Sequence, residues 1–85
     1  MHFVYIIQHT QNKQIYIGCT NDLERRLFEH NIGQTTATHR ISGEWVLRYA
    51  EMYIDRQNAL ARENKLKHHG SAKQKLLKRI QKSLL

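Results

Sequence analysis

Two short runs constrain this chain more than anything else in it: Val4-Tyr5-Ile6-Ile7 and Ile15-Tyr16-Ile17-Gly18. Both are β-branched and aromatic, a composition suited to a pleated, half-buried surface. The polar insert Thr10-Gln11-Asn12-Lys13-Gln14 has the length of a hairpin loop, so the runs predict an antiparallel hairpin with Tyr16 eleven positions after Tyr5. Opposed residues share a sheet face and side chains alternate with period two. Paired positions summing to 21 or 23, for a loop centred near Gln11 or Asn12, put both phenols on one face, whereas an even sum separates them. Phenols sharing a face are either a packed cross-strand pair or part of a site, and the hairpin alone leaves both readings open.

Size and charge narrow the alternatives. With 85 residues the expectation is one domain over 1–85 with a modest core. No apolar run approaches the ~18 residues of a membrane span, and Met1-His2-Phe3 passes straight into a strand. The single Cys19 has no second cysteine for a disulfide or thiolate metal site, so the expected setting is cytoplasmic and reducing. A net charge of +7 favours a polyanionic partner, and nine of the cations face one acid, Glu63, across residues 56–85.

Further along, Asn21 reads as a helix N-cap with Glu24 in the capping-box place, and Gly33 as the stop, which predicts a first helix over Asp22 to Ile32. Leu23 and Leu27 form its apolar pair. Arg26 and His30, also four apart, border that stripe, while Arg25 and Glu29 read as solvated charges. Gln34 to Glu44 is a threonine-rich loop whose Arg40 is a candidate phosphate contact. Trp45 to Glu51 alternates as a third strand, with Trp45 a core anchor. Asp55 caps a second helix, Arg56 to His69, with Ala59, Leu60 and Leu66 on its buried stripe. Glu63 falls on that stripe too, where a carboxylate needs a partner. A salt bridge to Arg26 or a nearby lysine and a functional role are equally open. Ser71 is the expected cap of a last helix whose Leu76, Leu77, Ile80 and Leu84 complete the core beneath a lysine-rich outer side.

Taken together, these residues resemble the GIY-YIG nuclease superfamily, in particular its minimal UvrC-amino-domain-like members. Phe3-Val4-Tyr5 stands where the family has G-I-Y, and Tyr16-Ile17-Gly18 is its Y-I-G. Thr20-Asn21-Asp22-Leu23-Glu24-Arg25-Arg26-Leu27, followed by His30-Asn31-Ile32-Gly33, is similar to T-x-D-L-E-R-R-L…H-N-x-G. Ala61 to Lys67 resembles A-x-R-E-x-x-L-K. The resemblance implies an α+β fold, a three-stranded antiparallel sheet made of the N-terminal hairpin plus a third strand and flanked by about three helices. It also implies phosphodiester hydrolysis with one divalent metal, magnesium or manganese. By position, Glu63 would ligate the metal, Tyr5 would be the general base, Arg26 would stabilise the scissile phosphate, and Tyr16 and His30 would position it or help move the proton.

The chemistry suits those residue types. A phosphodiester in its transition state gathers charge on oxygen, which calls for a guanidinium fork and a hard cation held by oxygen. Arg40, Lys67, Lys73, Lys75, Lys78 and Lys82 would supply sequence-independent backbone contacts, with a steep salt dependence. The expected function is a DNA endonuclease of low sequence specificity or with a structural preference, in repair or recombination. Its partner is nucleic acid, DNA ahead of RNA, with no membrane involved. The alternatives are a non-cleaving nucleic-acid-binding module on the same fold and an interaction subunit of a repair complex.

Overall fold

A computed structural model of the chain describes residues 1–33 and 43–85. The expected hairpin forms from β1 (His2–His9) and β2 (Ile15–Thr20), joined by Thr10 to Gln14. Lys13 takes a left-handed φ of 63°, and its N–H donates to the His9 carbonyl at 3.0 Å to close the turn. After α1 (Leu23–Asn31) come β3 (Trp45–Tyr53), α2 (Arg56–His68), α3 (Gly70–Arg79) and a single 3-10 turn, Gln81–Ser83. The sheet is antiparallel in the order β2-β1-β3, which makes Tyr5's strand central. This is the α+β architecture the sequence predicts.

The register resolves the parity question. Ile7 pairs with Tyr16 and Tyr5 with Gly18, a sum of 23, so both phenols emerge on the same face. Odd-numbered β1 residues Tyr5 and Ile7 pack with Trp45 beneath Leu23 and Leu27 of α1. Even-numbered Val4 and Ile6 pack with Ile17 against Ala59 and Leu66 of α2 and Leu76 of α3. Each fully buried aliphatic side chain contributes about 1.5–3 kcal/mol, and β1 supplies both cores. A bulge between Ile6 and Ile7 leaves Arg48 as the extra residue of β3.

Element ends depart from expectation by local chemistry. The cap of α1 is Asp22, whose carboxylate accepts the Arg25 N–H at 3.0 Å, and not Asn21, which instead accepts a hydrogen bond from Arg25 Nη2. Asp55 caps α2 as expected, accepting from the Asn58 N–H at 3.3 Å. Ser71 does not cap α3: the helix starts at Gly70 with His69 in the cap position and no side-chain cap bond. Gly33 ends α1 at φ 76°, a conformation costly for side chains other than glycine. Of the loop expected from Gln34 to Glu44, all but Gly43 and Glu44 lies outside the described residues.

Two side-chain devices fix the helices to the sheet. Asn31 accepts the Trp45 N–H at 2.7 Å and donates to the Trp45 carbonyl at 3.0 Å, as a neighbouring strand would. Glu51 receives the hydroxyls of Tyr49 and Tyr53 at 2.6 and 2.7 Å and the fork of Arg62 at 2.9 and 3.0 Å. Burial alone would raise the Glu51 pKa, but Arg62 and the two phenols outweigh it and hold the carboxyl below its ordinary range.

Candidate active site

Four of the expected residues form one cluster on the α1 face of the sheet. The Tyr5 hydroxyl lies 2.8 Å from His30 Nε2. Tyr16 packs against both rings, its centroid 4.8 Å from that of His30 and 6.3 Å from that of Tyr5. Gly18, opposite Tyr5, leaves room for this: a Cβ there would lie 2.5 Å from Tyr5 Cζ, so the phenol lies over the glycine's bare backbone. The Y-I-G glycine is required here for space.

Helix geometry brings the charge in. Arg26, one turn before His30, sits close enough to the Tyr5 hydroxyl to pull its pKa down against burial, and it bonds Glu29 at 3.0 Å through Nη1. Glu29 is thus half-buried and holds the arginine, in contrast to the solvated role expected for it. Burial, reinforced by the Arg26 charge, lowers the His30 pKa to about 4, so the imidazole is neutral at physiological pH. Burial likewise pushes Tyr5 up to about 12, against the opposing pull of Arg26. The Tyr5 hydroxyl and His30 Nε2 share one hydrogen bond, whose donor is set by the imidazole tautomer. Tyr5 is only 2 % and His30 only 1 % exposed.

Glu63 enters from α2. A cleft of about 360 Å³ lies between α1 and α2 beside the C-terminal end of β2, and its wall includes Arg25, Arg26, Arg56, His2 and Glu63. Three guanidinium groups against one carboxylate make it a site for an anion. The Glu63 side chain is 19 % exposed, and its Oε2 bonds Lys67 Nζ at 3.1 Å. The lysine expected as partner for Glu63 is therefore Lys67, and Arg26 is not in that pair. Lys67 Nζ also lies 5.4 Å from the Tyr16 ring centroid, which ties Glu63 to the phenols. Cys19 lines the same cleft and stays a thiol, since burial and then Glu63 push its pKa up.

The other basic candidates lie elsewhere. Lys73 and Lys75 are on α3 and Lys78 is near its end, while Lys82 is in the 3-10 turn; none lines this cleft. Arg40 lies outside the described residues. Arg25 and Arg56 are the cleft residues that the sequence reading missed. The signal for Arg25 was its four-residue spacing from Asn21, which it bonds at 3.2 Å.

As to a metal, no group of three or more His, Cys, Asp or Glu among the described residues is arranged to hold one. A single carboxylate in a polar cleft nonetheless fits a magnesium-like ion, which keeps most of its waters and takes further oxygens from a phosphate substrate. Glu63 is the residue that would hold it.

This sheet and its flanking helices define a small α+β domain. The chain belongs to the GIY-YIG family: the model of the GIY-YIG catalytic domain matches residues 1–81. Nucleases of this family work in general with a divalent metal and nucleic acid. Among its relatives, a UPF0213 protein of Staphylococcus saprophyticus is 34% identical over 79 residues, 93% of either chain. A UPF0213 protein of Haloquadratum walsbyi is 34% identical over 76 residues, covering 89% of this chain and 84% of its own. The solution NMR structure of a UPF0213 protein from Bacillus halodurans matches with a TM-score of 0.56 at 26% identity, over 93% of this chain and 83% of that one. No helix of the described residues is long and apolar enough to cross a membrane.

Proposed function

We propose that this chain, as one domain over residues 1–85, is a cytoplasmic DNA endonuclease that hydrolyses phosphodiesters with magnesium or manganese. It would act in repair or recombination with little sequence preference or with a preference for DNA structure. The observation that carries this reading is the Tyr5–His30 hydrogen bond, with Arg26 beside it, at the edge of a cationic cleft whose wall contains Arg26 and Glu63.

Each residue has a role suited to its chemistry. The cleft arginines attract the phosphate, and Arg26 bears on the charge that develops on its oxygens. Tyr5 is the general base: as it takes a proton from water, its own passes to His30 Nε2, which is neutral and 2.8 Å away. Tyr16 holds the imidazole in place through ring packing. Glu63 holds the divalent ion, which when bound supplies Lewis-acid stabilisation of the phosphate oxygens. Lys67 neutralises Glu63 in its absence. Lys73, Lys75, Lys78 and Lys82 add contacts to the DNA backbone.

The second reading, a module that binds nucleic acid without cutting, is favoured by one observation. Tyr5 is 2 % exposed with a pKa near 12, a poor base unless the loaded cleft lowers it. The decisive experiment is cleavage of duplex, single-stranded, flap and branched DNA with magnesium or manganese, beside Glu63→Gln. Metal-dependent cutting that Glu63→Gln abolishes supports the nuclease. Binding without cutting under either metal leaves the binding module, and equal cutting by Glu63→Gln overturns the nuclease reading built on Glu63.

A further inference from the structure

Helix α2 has two charged flanks. Arg56, Leu60 and Glu63 follow one another at four and three residues on the side facing the cleft, with Lys67 the next member of that stripe. Lys65 lies about 200° round the helix from Glu63, at 100° per residue. There, between α2 and α3, is a groove of about 460 Å³ whose lining includes Arg62, Lys65, Ser71, Lys75, Leu76 and Arg79.

The groove contains four cations and no carboxylate. Arg62 is committed to Glu51 below it, and the Arg79 charge lies near enough to Tyr49 to pull that phenol's pKa down against burial. Lys65 and Lys75 have no carboxylate partner among the described residues, and both are exposed. Leu76 at the groove's base belongs to the core, so the cations stand on a packed floor. So polar and so uniformly cationic a groove suits an extended polyanion better than an apolar or acid-poor peptide.

We infer that the α2–α3 groove is a second phosphodiester-binding track, which holds a nucleic-acid segment other than the one in the cleft. This rests on the reading that the cleft binds nucleic acid. The two tracks are separated by the body of α2, about 10 Å across. A short strand lying in the cleft does not also line the groove. A fold, branch or flap presents two backbones at about that spacing, and it engages both. The groove thus gives structural preference a physical basis that base contacts do not supply.

The test is an amide NMR titration of the whole chain, without divalent metal, using a single strand of about six nucleotides and then a three-way junction. With the hexamer, two groups of amides are expected to shift along separate saturation curves: Thr20, Asn21, Arg25 and Glu63 for the cleft, and Lys65, Ser71, Ala72 and Lys75 for the groove. The double variant Lys65→Glu/Ser71→Asp cuts the formal charge of the groove lining from +4 to +1, and its new acid in the first turn of α3 favours the helix. Its spectrum should stay dispersed, its groove group should fall silent, its cleft group should shift as before, and its junction affinity should drop about tenfold relative to the hexamer. A cleft group that shifts while the groove group stays still in the wild type overturns this inference and leaves the nuclease reading intact. A groove group that shifts alone overturns both the two-track arrangement and the cleft reading. Equal junction affinity in the double variant and the wild type also overturns it.

Discussion

Replacing Gly18 with alanine tests whether the Y-I-G glycine makes room for the Tyr5 phenol. The new Cβ would lie 2.5 Å from Tyr5 Cζ and 2.9 Å from Cε1, where ordinary contact is about an ångström longer. The ring has little freedom to yield, being 2 % exposed and tied to His30 at 2.8 Å. Nor does the backbone, because Tyr5 and Gly18 are paired inside the ladder. Overpacking of this kind costs about 1–3 kcal/mol, and losing the hydrogen bond to His30 adds about 1 kcal/mol. Relief of glycine's entropy returns roughly 0.5–1 kcal/mol, so the expected net loss is about 1–3.5 kcal/mol. Urea unfolding followed by the single Trp45 measures it, with an unchanged m-value as the sign that only stability moved. The decisive control is Tyr5→Leu, which removes the atoms that clash. In that background Gly18→Ala should be neutral or mildly stabilising. If it costs the same with leucine at position 5 as with tyrosine, the glycine is not there for the phenol and the steric account fails.

Three further outcomes follow from the same geometry. His30 is held down to about 4 in the fold against an ordinary 6.5, so the unfolded chain takes up a proton first as pH falls. Stability should therefore drop by up to about 1.4 kcal/mol per pH unit from 6.5 toward 4. His30→Asn should flatten that slope in denaturation series, and identical slopes would show that the imidazole is not held neutral. Glu51→Gln should cost about 2 kcal/mol in chemical denaturation, because it weakens the paired fork of Arg62, while leaving cleavage per folded molecule unchanged; a stability equal to wild type would contradict this. Lys67→Met removes the cation held by Glu63, so manganese binding to the free protein, followed by electron paramagnetic resonance, should tighten several-fold while DNA binding weakens. Unchanged manganese affinity would mean that the lysine does not compete for the carboxylate.

Local signals in the sequence account for much of this architecture. Alternating β-branched and aromatic residues determine the hairpin, and parity limits Tyr5 and Tyr16 to two arrangements. Asp55 and Gly33 mark helix ends because caps and left-handed residues depend on near neighbours. What escaped depends on groups distant along the chain or on competition between adjacent ones. β3 extends past Glu51 to Tyr53 because His2 and Phe3 pair with Tyr53 and Met52, a fact that no window around residue 52 contains. Asn21 and Asp22 both suit a cap, and the strand's exit from Thr20 chose between them. Glu29 has the spacing of a surface charge, yet it holds Arg26. Arg62 and Glu63 are adjacent, yet one serves the sheet's Glu51 while the other faces the cleft, because consecutive helical residues point about 100° apart. That Glu63 would need a partner was evident from its stripe, while the choice of Lys67 needed the position of Tyr16.

The amide of Asn31 has a consequence for how this chain can vary. By taking both backbone groups of Trp45, it joins the end of α1 directly to the start of β3. β1 and β3 are in turn held by eight paired positions. The two ends that flank residues 34–42 are therefore already fastened to each other, and the entropy of closing a chain between such ends grows only slowly with its length.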